Sequence, residues 1–399
     1  MRSGAIFDAF LSISLKIKDT IKTVTIKGFF YLLIRPIIFI VWAAKNLKSV
    51  DSHNLKLDQI NKILVTRFQS MGDMIVFIPA LRALREGFPQ AHISVLAAEK
   101  TGIEVLEQCP YIDEIIAKDS NRNFLKWLKF LKRLRGRRFD LFISSAGEDD
   151  LSRVGFYIGA KYIVGFKKRI RHLEEYEETC KFLQTVSLEY DENKHEVEQN
   201  LAIPHAIGIE TSDAKLEFWT TDTSDGYVKD LLWNELKIPR RKRLIGIHPG
   251  SKRLSRRWLP GRFAKLADLL ISKFNASILI IGSWEEMKLA REIASQMEYE
   301  VVILNGKTTI VQLASLMRHL SLFICTDSGP LHLGAAMGTP IVALFGPGEV
   351  QKWYPYSKNS VVVRKEVDCS PCGKYWCEDH RCMKLIEVED VLQAADRLL

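Results

Sequence analysis

The sequence predicts an α/β protein with two Rossmann-like domains, each built on a parallel sheet, that face each other across a cleft. The chain has 399 residues, more than one hydrophobic core usually supports. From residue 62 onward, apolar runs alternate with amphipathic segments of helical length, which is typical of βαβ units. A polar stretch near 191–240 interrupts this alternation. We therefore predict domains at 61–240 and 241–399, after an amino-terminal extension at 1–60.

The first domain opens with KILVT, a run that predicts a buried strand at 62–66. A turn, QSMGD, connects it to a helix at 74–88 that ends before Pro89, because proline cannot continue a helix. The remaining predicted strands are 92–98, 113–118, 140–145 and 161–166. The remaining predicted helices are 102–109, 123–135 and 195–209.

The second domain repeats the pattern. LIGIHPG predicts a strand and a loop at 244–250, and Pro260 suits the first turn of the next helix. Later strands are predicted at 277–283, 301–306 and 322–326, with helices at 260–274, 285–297 and 309–320. A short Gly/Ala-rich helix then begins at Ser328-Gly329-Pro330. A strand after Pro340 and an amphipathic helix at 387–399 complete the chain.

The net charge of +9 is concentrated in three regions. Residues 1–60 hold an excess of Lys and Arg, and the stretches 122–138 and 237–257 contain no acidic residue. Such regions favour anionic partners, which here include a membrane surface, a phosphorylated acceptor and a nucleotide. We expect no nucleic-acid partner, because the sequence has no zinc-finger spacing, RNP motif or helix-turn-helix signature.

The extension contains an apolar stretch, GFFYLLIRPIIFIVWAA, at 28–44. A spanning helix needs about 20 apolar residues, and Arg35 in the middle would cost ~2.5 kcal/mol or more at the bilayer centre. We predict that this extension lies in or on the inner membrane, at its cytoplasmic face, as a peripheral or monotopic element. A single span, or a helix packed on the protein's own core, remains an alternative.

Two motifs in the second domain predict an anion site. Ser328-Gly329-Pro330-Leu331-His332 opens a helix, where free N–H groups and the helix dipole suit a diphosphate. HPGSKRLSRRW, at 248–258, brings four cationic side chains to a small-residue turn. The alternative for the first motif is ordinary capping by Asp327 or Ser328. The chain has no G-x-G-x-x-G, no P-loop and no D-x-D, so protein groups would have to neutralise the phosphates.

Two carboxylates are candidates for chemistry and recognition. Asp73 follows the first strand, beside Gly72, which allows close backbone approach, and it could act as a general base on an acceptor hydroxyl. The alternative is a helix N-cap. Glu286, with Glu285 beside it, follows the strand at 277–283 and suits ribose hydroxyls. The alternative there is an acid that favours the first turn of a helix.

Four of the seven cysteines cluster near the end of the chain as Cys369-x2-Cys372-x4-Cys377-x4-Cys382. Four thiols at this density could hold a zinc ion tetrahedrally. The spacing is not that of two C-x-x-C pairs, so a metal site remains one possibility of two. We expect any such metal to be structural, because the cluster is predicted to lie beyond the sheet of the second domain, and we expect no cofactor for catalysis.

Taken together, these blocks resemble the bacterial heptosyltransferases, glycosyltransferase family 9. The resemblance covers about 61–399 and rests on blocks that recur in order. They are ILVTRFQSMGDMIVFIPALRALREGFP, HEVEQNLAIPHAIGI, IGIHPGS, RRWLPGRFAKLADLL, CTDSGPLHLGAAMGTPIVALFGP and CSPCGKYWCEDHRCM. It implies a GT-B fold, with an acceptor-binding first domain and a nucleotide-sugar-binding second domain. The implied reaction is inverting transfer of heptose from ADP-heptose to an anionic glycolipid acceptor, the inner core of lipopolysaccharide.

The resemblance also implies roles for single residues. Asp73 would be the general base, and Arg256 would bind phosphate at a position where the family usually has Lys. The expected donor-binding residues are Ser251, Arg256, Glu286, Asp327, Ser328, Gly329, Leu331 and His332. Among them, Asp327 would contact the donor sugar and Glu286 the ribose. The amides of Ser328, Gly329 and Leu331 would bind the diphosphate. The expected acceptor-binding residues are Arg67 and Gly72. RRWLP replaces the commoner KRWP or KHWP, and Arg256 in place of Lys changes the geometry at the donor. The amino-terminal 60 residues have no counterpart in the resemblance and suggest tighter membrane anchoring or another acceptor. Another nucleotide sugar or a non-catalytic membrane-bound binding protein also remains an alternative.

Overall fold

Two parallel sheets, each with six strands, organise the protein. The computed structural model describes residues 55–67, 70–97, 100–117, 124–145, 154–166 and 183–399. All but the last six residues of the predicted 1–60 extension, including the apolar stretch 28–44, lie outside the described residues. Among the residues described, no helix combines the length and the apolarity needed to cross a membrane.

The first sheet has the order β3-β2-β1-β4-β5-β6. Its strands are β1 (Lys62–Thr66), β2 (His92–Ala97), β3 (Glu114–Ala117), β4 (Leu141–Ser144), β5 (Tyr162–Phe166) and β6 (Val186–Leu188). Neighbouring strands are parallel throughout, with Ile63 of β1 opposite Ile93 on one side and Leu141 on the other. β1 and β4 are buried on both faces, which explains their continuous apolar sequences.

The helices of the first sheet are α1 (Met71–Ile75), α2 (Ile78–Gly87), α3 (Lys100–Leu106), α4 (Phe124–Gly136) and α5 (Glu196–Ala206). The single helix predicted at 74–88 is in fact two. Pro79 lies in the first turn of α2, where its missing N–H costs nothing, so a new helix starts there. α1 begins earlier than predicted, and it therefore carries Gly72 and Asp73 in its first turn.

The second sheet has the order β9-β8-β7-β10-β11-β12, which mirrors the first. Its strands are β7 (Arg243–His248), β8 (Ala276–Ile280), β9 (Val302–Ile303), β10 (Leu322–Thr326), β11 (Ile341–Phe345) and β12 (Ser360–Arg364). In each sheet the order reverses between the first and fourth strands, at β1/β4 and β7/β10. Ligands of such sheets bind outside the carboxyl ends of the strands at this reversal.

The remaining helices are α6 (Asp222–Asp230), α7 (Pro260–Phe274), α8 (Met287–Ala294), α9 (Ile310–Met317), α10 (Gly329–Ala336), α11 (Val350–Trp353), α12 (Arg381–Lys384) and α13 (Val388–Asp396). The sequence reasoning missed α6, which begins in the polar stretch at a capping box of Thr221 and Ser224. α6 packs against α9, and the Ser315 hydroxyl donates to Asp225 at 2.6 Å. The predicted domain bounds stay a prediction, although the first sheet ends at Leu188 and the second begins at Arg243.

Candidate active site

A cavity of about 1100 Å³ opens where the carboxyl ends of the two sheets face each other. Loops and helix starts after β1, β7, β8 and β10 contribute to its wall. Nine of the residues singled out in the sequence line it: Gly72, Asp73, Ser251, Arg256, Glu286, Asp327, Ser328, Gly329 and His332. Arg67 and Leu331 are fully buried behind that wall. The fold thus gathers residues that are up to 260 positions apart in the chain, from 72 to 332, around one space.

Two glycines let the halves of the molecule touch beside this cavity. A Cβ atom on Gly72 would lie 2.9 Å from Cδ2 of His332 and 3.3 Å from Cα of Gly329. A Cβ on Gly329 would lie 2.7 Å from Cε of Met71. The first turns of α1 and α10 therefore meet at backbone distance. Gly72 has a packing role in this contact, and its assignment to the acceptor site stays a prediction.

Asp73 presents a carboxylate to the cavity from the first turn of α1. The N-cap of α1 is Ser70, so Asp73 is not the helix cap that was the alternative interpretation. The Ser70 hydroxyl donates to Oδ2 of Asp73 at 2.8 Å, and a guanidinium nitrogen of Arg67 lies 3.6 Å from Oδ1. The Asp73 side chain keeps 19% of its surface exposed. It is thus held on one side and open to a ligand on the other.

Arg67 carries a positive charge directly beneath Asp73. Its guanidinium donates to the carbonyl of Ser145 at 3.1 Å and to the amide oxygen of Asn200 at 3.2 Å. It also lies 3.8 Å from the carboxylate of Glu196, which is 1% exposed. The two carboxylates therefore share one buried cation, and Glu196 was not singled out in the sequence. The assignment of Arg67 to the acceptor site stays a prediction.

The start of α10 is not capped by a side chain. Ser328 occupies the N-cap position, yet its hydroxyl oxygen lies 3.1 Å from Nδ1 of His248 and 3.0 Å from the carbonyl oxygen of Thr326. Capping by Ser328, the alternative interpretation, is therefore wrong. Within the described chain, the amides of Ser328 and Gly329 meet no hydrogen-bond acceptor, whereas the amide of Leu331 donates to the carbonyl of Ser328 at 3.2 Å. Free amides at a helix start suit an anion.

Arg256 and Asp327 form an ion pair at the base of the cavity, with Nη1 and Oδ1 3.0 Å apart. Burial raises the pKa of Asp327 to about 6, although the charges of Arg256 and Arg253 oppose the rise. The second oxygen, Oδ2, is buried and accepts no hydrogen bond from any residue that the structure describes. A Cβ atom on Gly348 would lie only 2.1 Å from this oxygen, so only glycine fits beside it.

Glu286 projects into the cavity from the turn after β8. Burial would raise its pKa, but hydrogen bonds and charge from His248, the Ser283 amide and the charge of Arg257 outweigh burial and lower the pKa to about 2. The Nε2 atom of His248 lies 3.3 Å from Oε2, and the amide of Ser283 donates to the same oxygen at 2.9 Å. Glu286 is thus part of a capping box in the first turn of a short helix, as the alternative interpretation expects, and it also lines the cavity. Its role at the ribose stays a prediction.

His332 lies under α1 and is neutral at physiological pH. Burial lowers its pKa to about 3, and the charges of His195 and Arg256 add to this effect. Its Nδ1 atom has no hydrogen-bond partner among the described residues. Its ring edge faces Trp353, with centroids 5.8 Å apart. His332 can therefore offer one nitrogen to a ligand without carrying a charge.

Among the wall residues that sequence reasoning did not single out individually are His248, Gly348 and Lys352. His248 belongs to the HPG turn that was singled out, but its neighbours became visible only in the fold. Lys352 is 8% exposed and pairs with Glu349 at 2.9 Å. Its signal was weak, because a single Lys in a short helix is usually a solvated residue.

The cysteine segment lies beside the cavity rather than beyond the sheet. The amide of Ser255 donates to the carbonyl of Tyr375 at 3.0 Å, and Nε2 of His380 lies 2.9 Å from the carbonyl of Ser255. Cys372 and Gly373 reach the cavity wall. Among the residues described, no group of three or more His, Cys, Asp or Glu side chains is arranged to hold a metal ion. The predicted zinc site stays a prediction.

Comparison with known proteins agrees with this geometry. The model of glycosyltransferase family 9 (heptosyltransferase) matches residues 127–382, and the chain belongs to this family. It is 26% identical over 351 residues to lipopolysaccharide heptosyltransferase 3 of Escherichia coli K12, which covers 82% of this chain and 95% of that protein. The predicted family and the predicted enzyme class, a glycosyltransferase, are thereby confirmed.

Two solved structures share the architecture. A glycosyl transferase of family 9 from Veillonella parvula superposes with a TM-score of 0.74 at 23% identity, over 88% of this chain and 98% of that one. The E. coli ADP-heptose LPS heptosyltransferase II superposes with a TM-score of 0.69 at 22% identity, over 84% and 98%. The predicted fold, two Rossmann-like domains in the GT-B arrangement, is confirmed.

Proposed function

We propose that this enzyme transfers heptose from ADP-heptose to the inner core of lipopolysaccharide, with inversion at the anomeric carbon and without a catalytic metal ion. The observation that carries the proposal is the position of Asp73. Its carboxylate and the uncapped start of α10 line the same cavity from opposite halves of the molecule. The names of the family 9 relatives, a lipopolysaccharide heptosyltransferase and an ADP-heptose enzyme, support the choice of donor and acceptor.

The chemistry follows from this pair of groups. Asp73 accepts the proton of an acceptor hydroxyl as that oxygen attacks the anomeric carbon, while the bond to the diphosphate breaks on the opposite face. One carboxylate and one displacement give inversion. Arg67 places a positive charge 3.6 Å from Oδ1 of Asp73, and the Ser70 hydroxyl donates to Oδ2 at 2.8 Å, which leaves Oδ1 available to the acceptor.

The charge that develops on ADP is met by groups already in position. The free amides of Ser328 and Gly329 are the proposed donors to the leaving diphosphate, and Arg256, paired with Asp327 at 3.0 Å, supplies positive charge. Lys252 and Arg253 line the same wall. Fixed dipoles and guanidinium groups of this kind need no reorganisation during the reaction, which is why we propose metal-independent catalysis. Glu286 is the proposed partner of the ribose hydroxyls.

The place of action and the metal content are separate proposals. The acceptor is a membrane glycolipid, and the basic, apolar sequence at 1–60 suits the cytoplasmic face of the inner membrane, so we propose that the enzyme works there. We also propose a structural zinc ion on Cys369, Cys372, Cys377 and Cys382. Elemental analysis of the purified protein, beside Cys369→Ser/Cys372→Ser, tests the second proposal: about one zinc per chain, lost in the variant, would support it.

The decisive experiment compares wild type with Asp73→Asn in the presence of EDTA. A truncated lipopolysaccharide acceptor and ADP-heptose are incubated with each protein, and the acceptor mass is followed. We expect wild type to add one heptose and the variant to be slower by about 10²- to 10⁴-fold, the usual contribution of a general base. Asp58→Asn, which alters an exposed carboxylate on the far side of β1, is the matched control and should keep full activity.

Two outcomes would contradict the proposal. If wild type binds ADP-heptose but adds no mass to this acceptor, the acceptor is a different one, as the amino-terminal extension already allows. If no nucleotide sugar binds, the result favours the alternative of a non-catalytic binding protein. Loss of activity with EDTA, restored by a divalent metal, would overturn the metal-independent mechanism alone.

A further inference from the structure

His248 connects two parts of the cavity that the proposed function uses separately. Its Nε2 atom lies 3.3 Å from Oε2 of Glu286, and its Nδ1 atom lies 3.1 Å from the hydroxyl oxygen of Ser328. The imidazole is 3% exposed and comes from the last residue of β7. β7 is the strand at which the order of the second sheet reverses, so the ring sits between the loops after β8 and β10.

The contact with Glu286 has a fixed direction. A carboxylate only accepts hydrogen bonds, so Nε2 of His248 carries the hydrogen and donates it. The Glu286 carboxylate also packs closely against the backbone of two glycines. A Cβ atom on Gly250 would lie 1.8 Å from Oε1, and a Cβ atom on Gly282 would lie 2.8 Å from Oε2. The imidazole therefore completes a tight pocket that fixes this carboxylate.

The contact with Ser328 has a different consequence. Serine at an N-cap normally turns its oxygen over the first turn of its helix and accepts an amide hydrogen there. In α10 the second helical residue is Pro330, which has no N–H, and the amide of Leu331 already donates to the carbonyl of Ser328 at 3.2 Å. The single hydrogen of the Ser328 hydroxyl goes to the carbonyl of Thr326 at 3.0 Å or to Nδ1 of His248 at 3.1 Å, and both partners lie away from the first turn. The space in front of the free amides of Ser328 and Gly329 thus stays open to an anion.

We propose that His248 is a positioning residue for the nucleotide: it draws the Ser328 hydroxyl away from the start of α10 and fixes Glu286 at the same time. The inference rests on the proposed nucleotide-sugar function. It assigns diphosphate affinity to the Nδ1 side of the ring and nucleoside affinity to the Nε2 side. His248 does not act on the reacting atoms, so its effect falls on donor binding rather than on the chemical step.

Two substitutions separate the two sides of the ring. The amide of His248→Gln can reach the position of Nε2 and keep the bond to Glu286, whereas the shorter amide of His248→Asn matches Nδ1 and keeps the contact with Ser328. The probes are ADP and adenosine, whose affinities are measured by calorimetry. His205→Gln, an exposed histidine at the end of α5, is the matched control.

We expect His248→Gln to weaken the binding of ADP by about fivefold, which is the scale of one N-cap hydrogen bond, and to leave the affinity for adenosine unchanged. His248→Asn should weaken ADP and adenosine by the same factor. The double variant His248→Gln/Ser328→Ala should regain the affinity for ADP, because no hydroxyl is left to turn over α10. KM for the donor should rise in His248→Gln while kcat stays within about twofold, since the chemical step is untouched.

Several results would overturn the inference. Equal losses of ADP and adenosine in His248→Gln would mean that the ring only fills space. A double variant weaker than His248→Gln would mean that the Ser328 hydroxyl binds the diphosphate directly. Unchanged ADP affinity in His248→Gln would show that Thr326 alone holds the hydroxyl. If wild type itself fails to bind ADP, the proposed function fails, and that result is distinct from all of these.

Discussion

The buried charges beneath Asp73 give a stability prediction that can be worked from the structure. Arg67 has no exposed surface, and Glu196 is 1% exposed at 3.8 Å from it. Removing one member of a buried pair typically costs about 3–5 kcal/mol, because the other charge stays buried without compensation. We therefore expect Arg67→Met to lower the free energy of unfolding by about this amount. Glu196→Gln should cost less, because Asp73 still faces the guanidinium at 3.6 Å.

The double variant Arg67→Met/Glu196→Gln distinguishes charge from packing. In Arg67→Met, Glu196 keeps the hydrogen bond from the Tyr190 hydroxyl but loses its cation. With both charges gone that penalty disappears, so the double variant should be more stable than the sum of the single losses predicts by about 2 kcal/mol. Urea unfolding followed by tryptophan fluorescence measures all four proteins. The control cycle uses Lys265 and Glu389, an exposed pair 3.7 Å apart whose coupling should be negligible.

Two results of the double-mutant cycle would contradict a shared cation. Single losses that add within about 0.5 kcal/mol would mean that Arg67 and Glu196 do not sense each other across 3.8 Å. A double variant less stable than the sum would mean that both side chains act mainly by packing. Either result would remove the argument that one cation serves two carboxylates, and with it the account of how Asp73 is held.

Two further predictions concern the floor of the cavity. Gly348→Ala would place a Cβ atom 2.1 Å from Oδ2 of Asp327. It should lower the free energy of unfolding by about 1–3 kcal/mol and raise KM for the donor. The control is Gly226→Ala in α6, which has no described atom within 4 Å of its Cβ position and should not lower the free energy of unfolding. The pKa of Asp327 is raised by burial from 3.8 to about 6, so the folded state binds the extra proton between these values. That stabilisation is complete below about pH 4 and is lost as the pH rises through 6. The free energy of unfolding of wild type should therefore fall by ~3 kcal/mol relative to that of Asp327→Asn between pH 4 and 7. A difference between the two proteins that stays constant with pH would contradict the assignment.

The two sheets and the position of the cleft can be predicted from the amino-acid sequence. Buried parallel strands need continuous apolar runs, and KILVT, LFICT and IVALF supply them at the centre of each sheet. Binding residues follow strand ends in such folds, so Asp73 and the Ser328 turn could be located from local pattern alone. Helix α6 was not predicted, because its first residues are Thr, Asp and Ser, which are typical both of a helix cap and of a loop.

The contacts that hold the site residues in place could not be predicted from the sequence and are seen in the fold. Arg67 meets Glu196 across 129 positions, and His248 meets Ser328 across 80. No periodicity or spacing encodes such contacts, because they depend on where two separate βα loops come to lie. The same holds for Gly72 and Gly329, whose missing Cβ atoms matter only because α1 and α10 touch. Local sequence fixes which element a side chain belongs to, whereas its charge partners and its burial are set by the packing of distant elements.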